Sequence, residues 1–148
     1  MGSRRWAAHA FVIVAALVAL AVNAAASAPP GQYDVAGDTV RDTRTGLTWQ
    51  RVEGGQHTWF GARDYCRALT TESGVSGWRL PTVKELQTIV DERARTPAVA
   101  ADAFPRTPPE VFWTATGSAK DPTFAWGVRF NIGQADAFAT RDYLPHVR

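Results

Sequence analysis

The sequence holds one cysteine, Cys66, one methionine, Met1, and three histidines, His9, His57 and His146. A lone thiol has no disulfide partner within the chain and excludes a C-x-x-C pair. No H-E-x-x-H motif and no phosphate-cradling glycine loop occurs. Internal repeats, low-complexity tracts and long runs of one charge are absent as well. What remains to be explained is an ordinary folded domain with no obvious reactive centre.

One long apolar run is present, at the start. Residues 1–9 carry Arg4 and Arg5 and no acid, and Ala10 to Val22 is wholly apolar. Small residues follow from Asn23 to Ala28. A basic head, a short apolar stretch and an A-x-A-like site are the three parts of a secretory signal peptide. Residues 1–28 are therefore expected to be removed, by cleavage after Ala26 or after Ala28, the second disfavoured by Pro29. The rival is an uncleaved anchor: Ala10 to Ala28 is 19 residues, just enough to span a bilayer, although Asn23 interrupts it. The expected location is secreted, periplasmic or cell-surface, with membrane contact only through this segment if it is retained. Ser3-Arg4-Arg5 lacks the apolar residues that follow a twin-arginine pair, so the export route stays open.

Removing the segment changes the charge argument. The chain has 16 basic and 14 acidic residues, a formal net charge of +2. Arg4 and Arg5 leave with the signal and no acid does, so 14 basic residues face 14 acidic ones in residues 29–148. The basic excess that would suggest a nucleic-acid partner is gone. Residues 29–148 are long enough for one domain that buries most of its aromatic residues.

Along that domain, Tyr33 to Val35 and Thr39 to Arg41 read as extended. A turn through Asp42 to Gly46 then leads to Leu47 to Arg51, a β-hairpin. Thr58 is placed to cap a helix whose apolar stripe is Trp59, Ala62, Cys66 and Leu69. After the loop Thr70 to Gly77, Trp78-Arg79-Leu80-Pro81 enters a second helix through Thr82-Val83-Lys84-Glu85. This is a T-x-x-E capping box, with Val83, Leu86, Ile89 and Val90 as the buried face. The proline-rich stretch from Glu92 to Glu110 predicts an irregular connection packed through Val99 and Phe104. Strands are predicted at Val111 to Thr116, Thr123 to Ile132, Ala135 to Thr140 and Tyr143 to Arg148. In the second of these Phe124, Trp126, Val128, Phe130 and Ile132 alternate with smaller or polar residues, which predicts a strand with one buried face. The two helices are expected to lean together on one side of this antiparallel sheet. The class is α+β.

The run Val40-x-Asp42-x-x-Thr45-Gly46-Leu47-x-Trp49-Gln50-Arg51, the helix ending in Tyr65-Cys66, the block Trp78-Arg79-Leu80-Pro81-Thr82-x-x-Glu85-Leu86, then Phe112-Trp113-Thr114 and Ala125-Trp126-x-Val128-x-Phe130, occur in this order over nearly all of Val40 to Arg148. Together they resemble the Lcl C-terminal domain family, found at the end of a bacterial collagen-like adhesin and in other exported proteins. The resemblance implies a C-type-lectin-like fold and, from the adhesin, binding of sulfated glycans and a trimeric state. In the family a cysteine follows the segment like Val147-Arg148 and pairs with the helix cysteine, here Cys66. The resemblance thus implies either a few further residues past Arg148 or a domain without that bridge. On the chain-entropy view a bridge closing a loop of roughly 80 residues contributes about 4–5 kcal/mol.

A Cys66–His nucleophile pair is conceivable, yet Cys66 lies on an apolar helix stripe, where a structural thiol is expected. Formylglycine-generating enzymes share an R-L-P-T-x-x-E block like Arg79 to Glu85, but their copper needs two cysteines. Calcium needs six to eight oxygens, and Gly117 to Pro122 offers only Ser118 and Asp121. No catalytic residue, metal or cofactor is expected. Cys66, Trp78, Arg79, Thr82, Glu85, Trp113 and Trp126 are assigned structural roles, Arg79 and Glu85 as a pair. For ligand binding the candidates are Arg129, Asn131, Gln134, Asp136 and Arg141, whose guanidinium, amide and carboxylate groups suit sugar hydroxyls or sulfates. The expected function is an exported, non-catalytic binding module for glycans or another extracellular polymer. The alternatives are a structural or protein-interaction domain of the cell envelope and, further off, a degenerate formylglycine-type oxidase.

Overall fold

The computed structural model describes residues 28–148 apart from Arg95. The expected signal segment therefore lies outside the described residues, save for Ala28. Among the described residues no helix is long and apolar enough to cross a membrane.

Two antiparallel three-stranded sheets and two helices make up an α+β fold. Strands β1 (Tyr33–Ala36), β2 (Thr39–Asp42) and β3 (Thr48–Gln50) form the first sheet in that order. The β1–β2 connection is the two-residue turn Gly37-Asp38, which needs a positive φ that Gly37 adopts at 58°. The predicted β2–β3 turn is held by one carboxylate. Asp42 accepts the Arg44 N–H at 3.0 Å and the Thr45 hydroxyl at 2.9 Å. Val40 and Trp49, paired across β2 and β3, enter the core.

Helix α1 (Trp59–Ala68) starts where Thr58 Oγ1 accepts the Gly61 N–H, and it buries Ala62 and Cys66 as its stripe predicts. Helix α2 (Val83–Gln87) is only five residues long. The chain turns at Thr88, so Ile89 reaches the core from the turn and Val90 instead forms a bridge with Val99. The proline-rich connection packs through Val99 and Phe104, as expected.

The second sheet is a meander of β4 (Val111–Gly117), β5 (Phe124–Arg129) and β6 (Gln134–Ala139). Its last predicted neighbour, Tyr143 to Arg148, is not a strand. Only His146 bridges, antiparallel to Gln56 and parallel to Phe112. Pro145 lacks the N–H a ladder would need there, yet the Trp113 N–H still donates to His146 O and the His146 N–H to Val111 O. The free edge of β4 is thus covered by residues 145–147 and, further along, by Pro81, whose carbonyl accepts the Ala115 N–H at 2.7 Å.

Two expectations fail for one reason. Phe112 and Trp113 are both fully buried neighbours on β4, so they point to opposite faces and both faces must be covered. Phe112 joins Val128, Phe130, Leu86, Val40 and Trp49 in one cluster; Trp113 joins Ala62, Cys66, Leu80, Ala125 and Val147 in another. The helices therefore pack on opposite faces of the second sheet rather than together on one, and the chain crosses the β4 edge at Leu80-Pro81. The alternation in β5 is likewise not a simple inside and outside. Val128 and Phe130 are buried, but Phe124 and Trp126 are 37% and 36% exposed and Ile132 lies at the surface. Trp126 is not the core tryptophan expected of it. Ala125 and Gly127 are the buried residues at that end, because β4 and β6 bring bulk against them: a Cβ on Gly127 would sit 2.7 Å from Val111 Cγ1.

Candidate functional site

Four of the five residues expected to bind ligand lie together at the turn end of β5 and β6: Arg129 and Gln134 are cross-strand partners, Asp136 is beside Arg129, and Asn131 shares a cavity with Gln134, while Arg141 lies apart. Arg129 is engaged within its own sheet, 3.5 Å from Asp136 and stacked 4.8 Å from the Phe138 ring centroid. Asn131 and Gln134 lie at the β5–β6 turn and line a shallow cavity with Glu92. Arg141 follows the opposite end of β6, about 20 Å along the strand.

The residues assigned structural roles behave differently. Thr82 and Glu85 complete the capping box: Thr82 Oγ1 accepts the Glu85 N–H, and Glu85 Oε2 accepts the Thr82 N–H at 2.7 Å. Arg79 grips the same carboxylate with two bonds of 2.7 and 2.9 Å. That guanidinium, helped by the Thr82 N–H, holds the Glu85 carboxyl down at about 2. Trp113 is buried with its Nε1 donating to His57 O, and burial pushes the Cys66 thiol up to about 11.

A groove runs beside β3, on a side of the molecule that the sequence reading did not single out. It consists of two cavities that share Gln50. The smaller, about 170 Å³, lies between Leu47 to Gln50 and Gly77 to Pro81, with Arg148 also in its wall. The larger, about 900 Å³, lies between the Gly37-Asp38 turn, Arg51-Val52, the segment Leu69 to Ser73 and Pro105-Arg106. Trp78 stands in the wall of the smaller cavity, its Nε1 tied to Val75 O.

Two features mark this groove. Five buried side-chain polar atoms lack a hydrogen-bond partner among the described residues, and four belong to groove residues: Trp49 Nε1, Gln50 Oε1, Arg51 Nε and Arg148 Nε. Buried polar atoms are paired almost everywhere else in folded proteins, so this is where the chain's polar bonding is unfinished. Secondly, Arg51, Arg106 and Arg148 stand in its walls with no carboxylate within ion-pair distance, a state they share with Arg41, Arg44, Arg63 and Arg141 elsewhere among the described residues.

Arg148 is the most constrained of the three, at 5% exposure. Its guanidinium lies 4.8 Å from the Phe104 centroid and 5.7 Å from that of Phe112. It donates to Arg51 O and to Thr107 Oγ1, each at 2.8 Å. Burial pulls its ionisation down to about 10, and the charge of Glu53 opposes that shift. Glu53 is itself fixed, accepting from the Gly55 N–H and pairing with His146 Nδ1 at 2.8 Å. No spacing in the sequence could reveal this arrangement, because positions 51, 106 and 148 meet only through tertiary contacts. Among the described residues no group of three His, Cys, Asp or Glu side chains could hold a metal ion.

The sequence profile of the Lcl C-terminal domain family matches residues 38–148, which takes in both sheets' shared core and nearly the whole groove. The chain belongs to this family. No curated protein and no solved structure matches it. Within this Lcl C-terminal domain, the quoted blocks fall mainly on framework: the Asp42 turn, the capping box, and the Phe112-Trp113 pair that divides the core. Leu47, Trp49-Gln50-Arg51, Trp78-Arg79, Pro81 and Glu85 also reach the groove.

Proposed function

We propose that this Lcl C-terminal domain is an exported, non-catalytic module that binds an extracellular polymer, with a glycan bearing acidic groups as the ligand. The observation that carries the reading is the groove beside β3, where Arg51 and Arg106 line the larger cavity and Arg148 the smaller, beside a cluster of unpaired buried polar atoms. Arginine matches the planar, multi-oxygen faces of sulfate and carboxylate. The length of two adjoining cavities suits an extended chain rather than a compact metabolite.

Export rests on the basic head, apolar run and small-residue site of residues 1–28. The non-catalytic part rests on how the reactive groups are used. The Cys66 thiol is held protonated by burial, His146 is bound to Glu53 and stacked on Phe112, and His57 contacts Gly54 O and the Tyr65 ring. Two helices on small antiparallel sheets are in keeping with a C-type-lectin-like scaffold. A second reading, a protein-interaction domain of the cell envelope, draws on the exposed Phe124 and Trp126 of β5; a single stoichiometric protein captured through that face would favour it.

The test is retention of the purified protein on dextran sulfate and on plain dextran at 100 mM salt, where the Debye length is about 10 Å. Selective retention on the sulfated polymer is expected. Arg51→Ala with Arg106→Ala should weaken it tenfold or more, since a hydrogen bond to a charged group contributes about 1.5–3 kcal/mol. Equal behaviour on both matrices would sink the proposal.

A further inference from the structure

Residues 70–77, of which Thr70 to Ser73 wall the larger cavity, form one hydrogen-bonded unit. It is knitted internally: the Thr71 N–H donates to Val75 O, the Gly74 N–H to Thr71 O, the Val75 N–H to Thr71 Oγ1, and the Thr71 and Ser73 hydroxyls are in contact. Its glycines take the positive φ its turns require, 81° at Gly74 and 78° at Gly77, the latter directly before Trp78. Among the described residues every long-range hydrogen bond from this segment goes to one side chain. The Ser73 N–H donates to Asp38 Oδ2 at 3.1 Å and the Ser73 hydroxyl donates to Asp38 Oδ1. Asp38 sits in the β1–β2 turn, on the far rim of the same cavity.

We infer that the Asp38–Ser73 contact is a latch, and that residues 70–77 are a flap which it holds across the larger cavity. A unit with internal bonds and one external tie moves as a body when the tie is released, pivoting near Leu69 and Gly77. Releasing it separates the two rims of the groove and lets a polymer enter sideways rather than thread from an end. The Trp78 Nε1 bond to Val75 O carries the same movement to the smaller cavity. The gating role rests on the groove being the binding site; the latch itself does not.

Backbone order parameters of the purified protein and polymer kinetics separate the two ideas. With the latch closed, amides 70–77 should be ordered, with values near about 0.85, and in Asp38→Ala and Ser73→Ala they should fall together below about 0.6. Ser73→Thr, which keeps a hydroxyl, should restore order. Dextran sulfate should then leave the two alanine variants at least tenfold faster than the parent. Unchanged order parameters, or a fall confined to residue 73, would overturn the latch. A disordered flap with unchanged release would overturn the gating role. If the parent protein binds no sulfated polymer at all, the groove reading fails while the order parameters still decide the latch.

Discussion

At the scale of single residues, Arg148 shows how context decides the sign of a buried charge. Replacing a buried cation by an apolar residue is often neutral, because desolvation offsets its attractions. Here the guanidinium is the partner of Arg51 O and the Thr107 hydroxyl; removing it strands Arg51 O, at about 1–3 kcal/mol, and leaves the Thr107 hydroxyl only its bond to Phe104 O, while the stacking on Phe104 is lost too. Arg148→Met should therefore destabilise the domain by about 3 kcal/mol, read from urea denaturation; a change under about 0.5 kcal/mol would show that the bonds contribute little. Cys66 gives a second expectation. With its thiol raised from 9.0 to about 11 by burial, the thiolate at pH 8 is roughly a hundredfold scarcer than in an ordinary cysteine. Ellman's reagent should label the folded protein at least that much more slowly than the urea-unfolded one, and matched rates would contradict the burial. The burial of Cys66 was legible, since its spacing from Ala62 and Trp59 marks a helix stripe. The position of Arg148 was not, because nothing local to residues 147–148 foretells contacts with residues 51 and 107.

At the scale of elements, α2 is too short to be stable by propensity and depends on its cap and packing. Thr82→Ala should cost about 1 kcal/mol. The Glu85 carboxyl, held at about 2 instead of 4.5 by Arg79, has a folded pKa below its unfolded one. Its stabilising contribution is complete above about pH 5 and is lost as the pH falls from there toward 2. Glu85→Gln should flatten the acid side of the stability profile between pH 5 and 2; an unaltered profile would mean that another carboxyl governs it. This element was readable because a capping box is a four-residue signal. β5 was misread because alternation reports which residues are large, not which face is covered. Where β4 and β6 supply the bulk, the small residues Ala125 and Gly127 are the buried ones and Phe124 and Trp126 are left outside. The strand, turn and returning strand that bring Arg129, Asn131, Gln134 and Asp136 together are local and readable, whereas Arg141 lies past the far end of β6.

At the scale of the whole molecule, the α+β order of elements could be read, but not the side of the sheet each helix takes. Phe112 and Trp113 are equally apolar, so the local pattern does not say that each faces a different core. The groove is invisible in the sequence for a similar reason, being walled by six separate stretches of chain. A final expectation concerns the segment that closes β4. Val147 is fully buried in the second cluster, Val147 O accepts the Gly54 N–H, and the His146 backbone serves Val111 and Trp113. Deleting residues 145–148 should abolish the sharp cooperative melt in calorimetry, and a retained melt would show that these bonds are dispensable. The consequence is one of timing. Since these residues leave the ribosome after all the others described, the interior cannot be sealed before residues 145–148 have been made. Until then the nascent domain stays pliable, and it locks only once this segment has arrived.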